Sequence, residues 1–121
     1  MIGTLKFLHE SFAFALILFA AALGAWGTIG FLTRRHVTGG FRSAYVMMIV
    51  LAGIQGALGL ILITTTQPRA LLHVVYGAFA FLFLPGVYFW AGRGSRPREA
   101  AFLAMACWIV AIAFARGVAT G

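Results

Sequence analysis

The chain has 121 residues, 63% of them hydrophobic and 9% charged, with nine Lys or Arg, two Glu and no Asp. Soluble domains carry about a quarter charged residues and disordered chains are poor in apolar and aromatic ones, so composition excludes both classes. A mean hydropathy of +1.02 makes lipid the solvent for most of the sequence.

A membrane-crossing helix needs about 20 mostly apolar residues, and four such runs follow in chain order, at roughly 8–33, 44–65, 70–91 and 100–117. The first continues unbroken past Ser11 to Thr33 and is followed by arginines, so it reads as a span rather than a cleaved signal. The connections, 34–43, 66–69 and 92–99, are short. Short connections make sequential helices antiparallel. The expectation is one domain over 1–121, an all-α integral membrane protein folded as an antiparallel up-down-up-down four-helix transmembrane bundle.

Positive loops stay cytoplasmic. Arg34, Arg35, Arg42, Arg93, Arg96 and Arg98 fall on one side, and Lys6, Arg69 and Arg116 on the other. Both termini are therefore expected outside the cytoplasm, with the protein in the cell (inner) membrane. The net charge of +7 suits anionic lipid headgroups, and loops this short leave no room to read nucleic acid. Cys107 is single and mid-span, which excludes a disulfide framework and a thiolate metal site.

Polar residues inside a membrane are costly and mark function. His9 and His73 lie near the starts of the first and third runs, which point the same way in such a bundle and sit across its diagonal. Both imidazoles then fall at one depth and can reach the two faces of one flat macrocycle, so the pair is the candidate metal-ligating set for a haem. Lys6, Arg69 and Arg116 would lie at the same surface, placed to receive two propionate carboxylates. Gly53, Gly56 and Gly59 share a face of the second helix, and Gly77 follows His73 by one turn; glycine lets a rigid ring approach backbone. Phe12, Tyr76 and Phe81 follow the histidines at helical spacing and complete the candidate haem wall.

Plainer assignments exist for each: headgroup anchoring for the histidines and cations, close helix packing for the glycines, and ordinary core for the aromatics. Ala101, Ala104, Ala111 and Ala115 read as a packing stripe, and Trp26, Trp90 and Tyr45 as an interfacial belt. Pro85 is expected to kink the third helix. Gln55 is mid-span, and its amide calls for an interhelical hydrogen bond. His36 lies in the arginine-rich loop, too far away to join the other two histidines. No Ser-His-Asp set, HExxH, phosphate loop or carboxylate cluster occurs, which argues against hydrolysis, phosphoryl transfer and proton-coupled transport.

Ile54-Gln55-Gly56-Ala57-Leu58-Gly59, followed by Leu72-His73, resembles the QGxLG…LH pattern of the haem A synthase family. That resemblance implies a four-helix half with one histidine on its first helix and one on its third, a little over sixty residues apart; His9 and His73 are 64 apart. It also implies that a single half assembles into oligomers. The family's Glu, three residues before the first histidine, is replaced here by Lys6, and its paired loop cysteines are missing. The resemblance therefore supports haem binding better than haem A synthesis. Small b561-type cytochromes share the same logic.

The leading expectation is a bis-histidine, b-type cytochrome-like protein holding haem b and exchanging electrons with a quinone or a redox membrane complex, as a homo- or hetero-oligomer. The alternatives are a cofactor-free accessory subunit of a respiratory or photosynthetic complex and, more weakly, a haem-modifying enzyme.

Overall fold

A computed structural model describes residues 2–65 and 71–120, with side chains over 3–61 and 73–119. Four α-helices account for nearly all of it: α1 (Ile2–Thr33), α2 (Gly39–Thr65), α3 (Leu71–Ala91) and α4 (Arg96–Thr120). No strand occurs among the described residues. Each helix is long and apolar enough to cross a membrane.

Helices α1, α2 and α4 start earlier than the apolar runs, because helix ends are set by backbone capping rather than by hydropathy. Thr38 Oγ1 accepts the Phe41 amide at 3.1 Å and starts α2, while Ser95 Oγ accepts the Arg98 amide at 3.3 Å and starts α4. Arg42 and Ser43, expected in a loop, are therefore helical, as are Arg96 to Glu99. At the end of α1 the amides of Arg34 and Arg35 both bond to Gly30 O, and Arg35 takes the left-handed φ of 61° that closes a helix C-terminus. Helix α3 runs through Pro85 without interruption. The link at 66–70, including Arg69, lies outside the described residues.

Among the described residues the helices pack in a ring, α1 on α2, α2 on α3, α3 on α4 and α4 on α1, and the backbones of the two diagonal pairs stay apart. Contact is closest between α1 and α4 and thinnest between α2 and α3. Small residues explain the tight seam: a Cβ at Gly24 would fall 2.8 Å from the Trp108 ring, and one at Gly27 would fall 3.0 Å from Ala104 Cβ. The indole of Trp108 also donates to Thr28 Oγ1 at 3.0 Å.

The core lies towards the α2 start and the α3 end. It contains Phe41, Tyr45, Met48, Leu84, Leu103 and Val110, all fully buried. Tyr45 corrects the sequence reading, which placed it in an interfacial belt. Its hydroxyl donates to Leu84 O at 2.8 Å and its ring stacks on Tyr88 at 5.6 Å, so the polar tip is satisfied inside the protein instead of by headgroups. Trp26 and Trp90, by contrast, are about half exposed. Ala104 and Ala111 of the expected packing stripe are buried, whereas Ala115 is exposed.

Candidate functional site

The opposite half of the bundle is hollow. A cavity of about 580 Å³ lies among all four helices, beside the α1 start and the α3 start, and it is within the range of small-molecule and cofactor sites. His9 and His73 both line it. Their rings approach to 6.0 Å between centroids, with planes 65° apart.

The His73 ring is held by a neighbouring backbone, and the His9 turn by a neighbouring side chain. His73 Nδ1 bonds to Gly117 O on α4 at 2.8 Å. A carbonyl only accepts, so Nδ1 carries the proton and, in the neutral ring, Nε2 presents its lone pair. Metal-ligating histidines are commonly oriented in this way. On the other side, Gln55 Nε2 of α2 donates to His9 O at 2.7 Å, the interhelical bond its mid-span amide called for. Because His9 O accepts, the amide orientation is settled: Oε1 is the other atom, and it is buried with no hydrogen-bond partner among the described residues.

The glycines on α2 divide the labour. A Cβ at Gly59 would stand 3.1 Å from His9 Cε1, so its absence is what lets the imidazole lie against the α2 backbone. A Cβ at Gly53 would stand 3.2 Å from the Phe81 ring, which presses onto α2 and forms the floor of the cavity. Gly56 and Gly77 line the cavity with nothing within 4 Å of a Cβ, and both keep its middle open.

Of the residues singled out from sequence, His9, His73, Gly56, Tyr76 and Gly77 meet at this cavity, joined by Phe81. Lys6 and Arg116 are exposed beside it rather than lining it. Lys6 lies one turn before His9 on α1, and Arg116 adjoins Gly117, so both stand at the histidine end. Arg69 falls outside the described residues. Phe12 does not line the cavity, whereas Ala13, Phe14 and Leu16 do. At 3.6 residues per turn the lining face of α1 runs from His9 towards Ala13 and Phe14, and Phe12 falls about 60° to the other side. Glu10 also lines the cavity. His36 sits at the far end, where its Nδ1 lies 3.4 Å from Val37 O.

No family model matches the chain, and no curated protein or solved structure is significantly similar to it.

The chemistry must therefore be read from the donors themselves. No group of three or more His, Cys, Asp or Glu able to hold a metal ion occurs among the described residues. Two imidazoles alone leave most of a metal's coordination sphere unfilled. Two imidazoles on opposite sides of one metal have centroids roughly 6 Å apart, given metal–nitrogen bonds of about 2 Å and about 1 Å from nitrogen to ring centre. The observed 6.0 Å separation suits that arrangement. Two imidazoles this close could hold a group that brings most of its own ligands.

Proposed function

We propose that the chain is a small integral membrane haem-binding protein in which His9 and His73 would hold the haem iron, working in membrane electron transfer like a b-type cytochrome. The carrying observation is the 6.0 Å approach of the two rings in a largely apolar cavity, with no group of three metal-holding side chains among the described residues. The topology in this reading is antiparallel up-down-up-down. Contacts between the α2 start and the α3 end (Tyr45 with Leu84), and between the α3 start and the α4 end (His73 with Gly117), support it. The arginine-rich connections face the cytoplasm and the histidine end faces outward.

In this assignment haem b supplies a one-electron iron couple. The chain's own residues perform the rest. Gly117 O orients His73, Gln55 holds the His9 turn to α2, and Gly59 makes room for its imidazole. Tyr76, Phe81 and Phe114 wall the cavity and keep water from the centre. Lys6 and Arg116 stand where they can neutralise propionates, and Arg69 completes that set by sequence. The exchange partner is a quinone or a redox membrane complex, with the chain acting in an oligomer. The likeness to a haem A synthase half belongs to this proposal too; Lys6 in place of the family's Glu argues for binding rather than haem oxidation.

The test is optical. Protein expressed with ample haem and purified in mild detergent is expected to show Soret and α bands in a reduced-minus-oxidised spectrum. A colourless wild-type chain that co-purifies with a large membrane complex would overturn the reading in favour of an accessory subunit.

A further inference from the structure

The cavity opens sideways. Among its lining residues Ala57 and Leu60 on α2 and Val74 and Ala78 on α3 are exposed, as are Glu10 and Phe14 on α1 and Val118 on α4, whereas Leu16 and Ala113 are buried. At 100° per residue, Ala57 and Leu60 share the α2 face of Gly53, which meets Phe81 of α3. Val74 and Ala78 share the α3 face of Phe81 by the same count. These four residues are therefore the two lips of the α2–α3 seam, the least packed seam among the described residues. Below them the seam is shut by Phe81 on Gly53 and by Tyr45 against Leu84 and Tyr88. Every lip residue is apolar, and two of the four are alanine. A slot through the flank of a bilayer-embedded bundle meets acyl chains, not water.

We propose that the cavity takes up and releases its flat macrocyclic occupant laterally, from the hydrocarbon layer, through the slot between Ala57 and Leu60 on α2 and Val74 and Ala78 on α3. This rests on the bis-histidine reading. It makes the occupant an exchangeable one, delivered by the membrane. The α1–α4 seam is the most closely packed of the four among the described residues.

The experiment follows haem b moving from donor phosphatidylcholine vesicles into proteoliposomes of the wild type, Ala57→Trp and Ala78→Trp, and then out to apomyoglobin. With bulky rings across the slot, uptake and release are expected to slow on the order of tenfold while the final spectrum matches wild type. Ala57→Leu and Ala78→Leu are expected to slow both steps in smaller measure. Variants that load and unload at the wild-type rate would overturn the lateral route while leaving the histidine site standing. Loss of the final band even in the leucine variants would also overturn it, because Ala57 and Ala78 would then lie within the ring pocket and not at its edge. A wild-type chain that takes up no haem at all would overturn the underlying reading first.

Discussion

The Nδ1–H of His73 donates to the backbone carbonyl of Gly117, across the α3–α4 seam, at 2.8 Å. This bond leaves Nε2 as the ring's acceptor and makes His73 the better fixed of the two candidate ligands. Replacing His73 by Ala is expected to abolish the Soret and α bands of the wild type. Adding imidazole to the His73→Ala protein is expected to restore a six-coordinate spectrum, because the deletion leaves the space of the missing ring. Spectra unchanged in His73→Ala would remove this residue from the site.

Gly59 provides a graded test of the opposite ligand. Its missing Cβ leaves 3.1 Å to His9 Cε1, closer than side chains ordinarily tolerate, so Gly59→Ala must displace the imidazole by a few tenths of an ångström and Gly59→Val by more. Disturbing the supports of a metal ligand commonly weakens binding about 10–100-fold. The expected result is a progressive loss of low-spin character from Ala to Val, read by absorbance and electron paramagnetic resonance, with thermal stability little changed.

Gly56 and Gly77 test the cavity itself. Nothing stands within 4 Å of a Cβ at either position, so the first side-chain carbon of Gly56→Phe meets open space and its ring takes up cavity volume. Haem retention is expected to be lost while detergent-solubilised protein remains monodisperse and helical by circular dichroism. Full retention in both Gly56→Phe and Gly77→Phe would move the occupant elsewhere.

The four long helices were legible because a helix able to cross a membrane must display its length and apolarity in the sequence. The histidine pairing was legible because matched depth follows from chain direction, and Gln55 because a mid-span amide has to find a partner. Residue-to-residue facing was not. Tyr45 carries the same amphipathic ring that anchors helices at an interface, and only the nearby Leu84 carbonyl decides that it is buried. Gly24 carries no mark in the sequence of the Trp108 ring packed against it. Phe12 shows the limit of spacing arguments: one position separates a residue facing the cavity from one turned away, and the α1 face could not be fixed before its neighbours were known.

The Tyr45 correction carries its own prediction. Tyr45→Phe keeps the stacked ring but removes the donor to Leu84 O, a carbonyl placed to accept its own helical amide as well. One buried hydrogen bond contributes about 0.5–1.5 kcal/mol, and that is the loss expected in a steric-trapping or denaturant measurement. Tyr45→Ala also empties a fully buried site and is expected to cost about 3–5 kcal/mol, as large-to-small core substitutions do. Equal effects from the two variants would show that the ring is not packed as described.

At the far end, Arg42 and Glu99 join the starts of α2 and α4. Arg42 Nε donates to Glu99 Oε2 at 3.2 Å and its Nη2 to Oε1, a two-point contact of the kind guanidinium and carboxylate favour. The two partners are unequally placed: the Arg42 side chain is 32% exposed and that of Glu99 only 12%. Removing the cation leaves a mostly buried carboxylate without its counter-charge, whereas removing the acid leaves a guanidinium that can turn to water. Breaking a pair costs most when the charge left behind is desolvated. Arg42→Gln is therefore expected to destabilise the bundle more than Glu99→Gln, and the double variant to lie close to Glu99→Gln. A double-mutant cycle measured by thermal unfolding in detergent decides the point, and the reverse order of the two single variants would show that the carboxylate is better solvated than its position implies.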